Sequence, residues 1–307
     1  MIDRRRFLGW SMAALGAMPC DAPLAMEAGQ PSRTARGAAL QRAAHQLLEV
    51  PPVFEDPLAL RIFGAKGVAW LGRNLDRYRT DGARAMRAFL VMRSRFAEDE
   101  LARAVARGVR QYVVLGAGLD TFAYRNPYGS RLKVFEVDHP ATQKWKRSRL
   151  REQDIAIPRS LTFAPVDFEK QKLAARLKAA GFRSNRPAFF SWLGVTIYLT
   201  ADAVRETSRF AASCAKGSGL VFDFAPPAAE LGEQERSAVT ARAAQLAKIG
   251  EPWLSYFSPG PLADELRALG FSSAESTGAA ELNRRYFAGR RDGFRLYGSG
   301  RMMSAQV

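Results

Sequence analysis

Cysteine and histidine are scarce in this chain. Two cysteines, Cys20 and Cys214, and two histidines, His45 and His139, stand among 307 residues. A disulfide framework needs more of the first, and the common zinc sites take several ligands of one or both types at short spacing, so neither a disulfide scaffold nor a metal site is expected. Also missing are the G-x-S-x-G elbow of serine hydrolases and the G-x-x-x-x-G-K-[ST] loop that cradles nucleoside triphosphates. No apolar run approaches the ~20 residues that a spanning helix requires, and no stable membrane association is expected. The net charge of +16 is carried mainly by arginines scattered over the whole length, without aromatic-interleaved basic blocks. That pattern reads as a solvated basic surface, and no nucleic-acid partner is expected.

What is present suffices for a large core. At 47% hydrophobic residues, the chain can form one α/β domain with helical additions. Residues 1–29 stand apart. MIDRRRFLGWSMAALGAMPC sets Arg4, Arg5 and Arg6 before a short apolar stretch, the layout of a twin-arginine export leader; an upstream start codon or a loose helix is the other reading. The segment is leader-like or non-native and is set aside from the fold.

Residues 30–110 read as helical. RGAALQRAAHQLLE, Arg36–Glu49, has helical spacing and is stopped by Pro51 and Pro52; Asp56–Gly64 forms a short helix with Asp56 as N-cap and Gly64 at its end; Gly82–Val109 forms a long helix or a helix pair. From Gln111 the period changes. Strands are predicted at Gln111–Leu115, Leu132–Val137, Leu161–Pro165, Ala188–Leu193 and Gly219–Phe224. Helices are predicted between them at Leu119–Arg125, Pro140–Glu152, Glu169–Ala180 and Ala201–Cys214. This alternation builds a Rossmann-like, mostly parallel sheet with helices on both faces across a core of residues 111–227. Residues 228–250 read as a helical insert, and 251–307 as a helix at Pro261–Leu269 and a closing antiparallel pair.

Ligands of such sheets bind beyond the carboxyl ends of the strands. There the first strand runs into Gly116-Ala117-Gly118, a turn that brings backbone N–H groups close to an anionic ligand; a plain tight turn is the alternative. Asp138 ends the second strand, placed to grip the ribose of a cofactor. A nicotinamide fingerprint wants a third glycine where Thr121 stands, which disfavours NAD. Asp167, after the third strand, reads equally as a ligand contact or a helix N-cap.

In order and spacing, LGAGLDTFAYR, VFEVDHP, VDFE and FFSWLGVTIYLT resemble the leucine carboxyl methyltransferase family of S-adenosylmethionine-dependent enzymes, in particular its bacterial branch of O-methyltransferases. The resemblance runs from about Ser32 to the C-terminus. It implies a seven-stranded class I methyltransferase fold with a helical cap, and S-adenosylmethionine as cofactor. It implies that Gly116, Ala117 and Gly118 face the methionine moiety, that Asp138 takes the ribose hydroxyls, and that Asp167 and Phe168 take the adenine. Arg93 is the candidate for the methionine carboxylate, with Arg95 beside it; both also fit an amphipathic surface. Many members carry a glutamate where this chain has Leu193. Tyr198 fits either the acceptor pocket or the core.

The expected activity is methyl transfer to a carboxylate or hydroxyl of a small-molecule or peptide acceptor. A carboxylate needs only orientation, whereas a hydroxyl needs a base. His139 is the imidazole in reach, but its place suits capping the next helix. The alternatives are an NAD-linked oxidoreductase using the same loop and an exported, non-catalytic binding protein. The cytoplasm is the expected compartment, because the cofactor motif looks intact.

Overall fold

A computed structural model describes residues 32–168 and 171–307. The leader-like segment 1–29 lies outside the described residues. Seven strands form one sheet in the order β3-β2-β1-β4-β5-β7-β6. They are β1 (Gln111–Leu115), β2 (Lys133–Asp138), β3 (Leu161–Pro165), β4 (Phe189–Trp192), β5 (Gly219–Phe224), β6 (Ser273–Thr277) and β7 (Arg301–Gln306). The first five pair in parallel, with Val113 opposite both Phe135 and Phe190. β7 inserts antiparallel between β5 and β6. Every residue of β1, β4 and β5 is buried, which is why these strands read as unbroken apolar runs rather than alternating ones.

Side-chain alternation splits the sheet into two faces. Val113, Phe135, Phe190, Trp192 and Phe222 face one core, against Leu177, Val204 and Leu266. Those three come from α7 (Leu173–Ala179), α8 (Ala201–Ala212) and α10 (Pro259–Ala268). Tyr112, Val114, Val134, Phe189 and Val221 face the other, against Ala88, Val91, Met92 and Phe96 of the long α5 (Asp81–Ala106). Outside α5 lie α1 (Arg33–Leu48), α2 (Leu58–Arg61), α3 (Gly64–Arg73) and α4 (Leu75–Arg79), with a small core of Leu40, Ala43, Ala59, Leu71 and Tyr78. The remaining helices are α6 (Pro140–Glu152), α9 (Glu233–Ala247) and α11 (Ala279–Tyr286).

A buried polar network ties α1 to α5. Arg87 donates to both oxygens of Glu49, at 2.9 and 2.6 Å, and His45 Nδ1 lies 2.8 Å from the same carboxylate. His45 Nε2 accepts from the backbone N–H groups of Val53 and Phe54, at 2.9 and 3.3 Å. Two donors on Nε2 require the neutral tautomer protonated at Nδ1. Burial holds this imidazole below its ordinary pKa, although Glu49 pulls the other way.

Three sequence expectations change. Leu119–Arg125 is not an α-helix: only Phe122–Tyr124 makes a 3-10 turn. Asp120 Oδ1 accepts from Phe122 N, Arg125 reaches Glu98, and Pro127 blocks propagation, so the segment is held by side chains instead. Gly64, with φ of +70°, does not end the helix after Asp56 but begins the unpredicted α3, and Pro57 rather than Asp56 is the N-cap of α2, with Asp56 Oδ1 one residue earlier accepting from Leu58 N at 3.1 Å. Asp167 is not the N-cap of the helix after β3, because α7 starts at Leu173 with Lys172 before it. Helix α11 also went unpredicted. Among the described residues no helix is long and apolar enough to cross a membrane.

Candidate active site

The carboxyl ends of β1, β2, β3, β4 and β5 gather the residues singled out in the sequence. Gly116 and Gly118 both take positive φ, +65° and +46°. A Cβ on Gly116 would stand 2.3 Å from Val195 Cγ2, and one on Gly118 would stand 3.2 Å from Ala35 Cβ. The loop is therefore pressed between the turn after β4 and the start of α1, and only glycine fits at the first position. Ala117 lies beneath it, buried, with its N–H bonded to Val137 O at 3.0 Å and its carbonyl accepting from Asp120 N at 2.7 Å. Ala117 shapes the loop. Thr121, in place of the third glycine, donates its hydroxyl to buried Asp56 at 2.7 Å and so ties the loop to the outer helices.

Asp138 closes β2 beside this loop. Its Oδ2 accepts from Gly118 N at 2.5 Å and its Oδ1 from His139 N at 2.7 Å. Burial raises its pKa, and the two backbone donors oppose that rise. A carboxylate has about four lone-pair positions, so one on each oxygen is left to receive a vicinal diol. His139 is the N-cap of α6, its Nδ1 accepting from Ala141 N at 3.3 Å. The imidazole is committed to the helix.

After β3, Asp167 N donates to Gln171 Oε1 at 3.2 Å, and the ring of Phe168 stacks on Trp192 with centroids 6.3 Å apart and 28° between planes. Trp192 is fully buried, yet its Nε1–H has no partner among the described residues. Phe168, half-buried against Trp192, leaves part of its ring open after β3, which suits the face of a planar heterocycle.

The two arginine candidates separate. Arg95 runs outward and pairs with Asp99 at 2.9 Å on the surface. Arg93 turns to the strand ends, where Nη1 donates to Asp223 Oδ2 at 2.9 Å. Asp223 also accepts from Gly194 N at 2.5 Å. A Cβ on Gly194 would lie 2.6 Å from both Nη atoms of Arg93, so this glycine, at φ +70°, makes room for the guanidinium. Asp223 was overlooked in the sequence. The signal was there: a lone acid in the otherwise apolar GLVFDF, one residue from the end of a fully buried strand. Leu193, in the place where a glutamate is common, is partly buried in the α5-side core.

Tyr198 does not join the apolar core. It closes a 3-10 turn, Thr196–Tyr198, and its hydroxyl meets the side chains of Thr34 and Trp253, with Glu251 and Arg242 close by. The same turn holds the 251–255 segment through Ile197 O, which accepts from Leu254 N at 2.7 Å.

The arrangement matches a known family. A model described as leucine carboxyl methyltransferase matches residues 35–212. The chain belongs to the leucine carboxyl methyltransferase family. It is 30% identical over 289 residues to YktD of Bacillus subtilis (strain 168), named as an S-adenosyl-L-methionine-dependent methyltransferase; the match covers 87% of this chain and 95% of that one. A relative of the same description in Mycolicibacterium gilvum (strain PYR-GCK) is 31% identical over 249 residues, covering 76% and 80%. A crystal structure titled as a methyltransferase from Thermobifida fusca YX superposes with TM-score 0.52 at 14% identity, covering 91% and 96%, and shares the fold. The protein is thus an S-adenosylmethionine-dependent methyltransferase with the class I fold. The nicotinamide and non-catalytic readings fall away. The residues present fit the cofactor: two constrained glycines, a carboxylate with a free lone pair on each oxygen, and the half-buried ring of Phe168 lie at one edge of the sheet.

Proposed function

We propose that this methyltransferase acts on oxygen, methylating a carboxylate or hydroxyl of a small-molecule or peptide acceptor. The observation that carries the reading is the commitment of His139, the imidazole beside the glycine loop, to capping α6: its Nδ1 accepts from Ala141 N at 3.3 Å, so it is not free to take a proton from an ammonium, whereas a carboxylate acceptor is already ionised.

In this reading Asp138 receives the ribose hydroxyls on the lone pairs that the backbone leaves free. Gly116 and Gly118 let the backbone approach the methionine part, with Ala117 fixing the loop from below. Arg93 turns from Asp223 to the methionine carboxylate, and Asp167 and Phe168 flank the adenine. When bound, S-adenosylmethionine supplies an electrophilic methyl carbon on a sulfonium. The protein's task is to hold the acceptor oxygen in line with it and to keep water away. With His139 capping α6, a carboxylate acceptor is served better than an alcohol, since it is ionised at neutral pH and needs no base. The acceptor is a small molecule or peptide rather than nucleic acid, and the compartment is the cytoplasm, where the donor is made.

A methyl-transfer screen with isotopically labelled donor against carboxylates, phenols and amines tests this. Base-labile esters or stable aryl ethers are the expected products. Labelled amines alone would overturn the reading.

A further inference from the structure

Arginines that lie scattered along the sequence are gathered by the fold at one end of the sheet. Strands β1 to β5 are parallel, so the loops leading into them meet at the edge opposite the cofactor site. Each of these loops brings an exposed cation: Arg110 before β1, Arg131 before β2, Arg159 before β3, Arg186 before β4 and Lys216 before β5. Among the described residues none of them belongs to an ion pair. Across the loops 107–110, 126–132, 153–160, 180–188 and 213–218 the only acidic side chain is that of Asp154. Of the acids late in the preceding helices, Glu100 is taken by Arg103 and Glu152 by Arg149.

In the order β3-β2-β1-β4-β5 these cations form a row, one per strand, and with neighbouring strands about 4.8 Å apart it runs for roughly 20 Å. Arg110 is held in place at its middle, where Nη1 donates to Val105 O at 2.9 Å and Val109 O at 2.7 Å. Helix dipoles do not account for the row. Helices α5, α6, α7 and α8 also end here, but each already has a basic residue in its last turn, where the dipole is felt. The opposite edge of the sheet is built differently. There Arg93 is paired with Asp223 and Arg125 with Glu98, and Asp138 adds a further carboxylate.

We propose that this row is a docking face for an acidic segment of a partner protein, which lies across the amino ends of the strands and leaves the methyl-transfer site open. Arginine dominates the row, and its planar fork takes a carboxylate through two hydrogen bonds. Other polyanions suit the face less well. A nucleic-acid strand needs exposed rings on which bases stack, and the aromatic residues of these loops, Tyr128 and Phe182, are packed against the two cores. A lipid surface needs apolar side chains to insert, and Ile157 is the one large apolar residue exposed here. Distance keeps the two sites independent. With β1 of five residues and β2 of six, the face and the cofactor loop stand about 15–20 Å apart, beyond the ~8 Å screening length of physiological salt.

Fluorescence anisotropy at physiological ionic strength tests the proposal, with a labelled peptide of about eight alternating Asp and Glu residues, long enough to span the row when extended. Its Asn/Gln counterpart, single-stranded DNA of equal charge and phosphatidylglycerol vesicles serve as comparisons. Wild type should bind the acidic peptide at least tenfold more tightly than the neutral one. The combined variant Arg131→Glu, Arg159→Glu, Arg186→Glu and Lys216→Glu should lose at least tenfold in that affinity, and Arg159→Glu or Arg186→Glu alone at least threefold. Affinity for S-adenosylhomocysteine should stay within twofold in these variants and in wild type saturated with peptide, which shows that the fold is intact and the sites are separate. A control reversing as many exposed cations around the start of α5 and the end of α9, Arg77→Glu, Arg291→Glu, Arg295→Glu and Lys248→Glu, should keep peptide affinity within threefold, because charges beyond the screening length do not contribute. Equal binding of the two peptides, no binding of either, an equal loss in the control, displacement of the peptide by S-adenosylhomocysteine, or tighter binding of DNA or vesicles than of the peptide would overturn the proposal.

Discussion

Replacing Asp138 with asparagine removes one oxygen and one charge from the centre of the site. The carboxylate takes backbone N–H donors on both oxygens, from Gly118 at 2.5 Å and His139 at 2.7 Å. An asparagine accepts on one side only, and its NH2 must then face the second N–H. Fold stability should fall by about 1–3 kcal/mol for that unmet donor. The larger effect falls on the cofactor. Two ribose hydroxyls lose charge-assisted acceptors worth about 1.5–3 kcal/mol each, so affinity for S-adenosylhomocysteine should drop by a factor of roughly 10² to 10⁴. Calorimetric titration measures this, and a 2′-deoxy analogue of the ligand separates ribose contact from loop distortion. Wild type should discriminate against the analogue, and Asp138→Asn should bind both forms alike. Binding of S-adenosylhomocysteine within threefold of wild type would refute the assignment of Asp138 to the ribose.

Gly194→Ala should displace Arg93, because the new Cβ would lie 2.6 Å from both Nη atoms, on a backbone at φ +70°. The αL conformation alone costs about 1–2 kcal/mol. Cofactor affinity should fall at least tenfold in calorimetry, and an unchanged value would show that Arg93 takes no part in binding. The His45 network predicts a pH dependence. Burial holds the His45 imidazole below its ordinary pKa of 6.5, so the unfolded chain binds the proton more readily. That contribution to stability is complete above pH 6.5 and is lost as pH falls through the lower folded value. Urea midpoints measured across this range should decline toward acid in wild type and decline less in His45→Gln. Equal slopes would count against the neutral tautomer.

Much of the fold was legible because its signals are local. Strands β1, β3 and β5 have the predicted bounds, and β2 and β4 differ by one residue at each end. Short apolar runs bounded by turn residues mark buried parallel strands whatever surrounds them. Helix α3 was missed because Gly64, Gly67 and Gly72 weaken the local helix signal, and α4 and α11 because five and eight residues are too few to show a period. The segment 119–125 was misread for the opposite reason. Its apolar and charged residues suit a helix, but Thr121 bonds Asp56, 65 positions away, and Arg125 bonds Glu98. Tertiary hydrogen bonds outweighed a propensity worth tenths of a kcal/mol per residue.

The site divides along the same line. Gly116, Gly118, Asp138, Asp167 and Phe168 follow strands directly, and a strand end is a position that the sequence by itself determines, because chain direction and β-α alternation put all such ends at one edge. Family membership rests on the same stretches. Which arginine serves the site was decided only by the tertiary structure. Arg93 and Arg95 are two positions apart on α5, so they point about 200° from each other around the axis, and the docking of α5 on the sheet selected Arg93. Its partner Asp223 is 130 residues away, and Gly194, which makes room for it, sits on yet another loop.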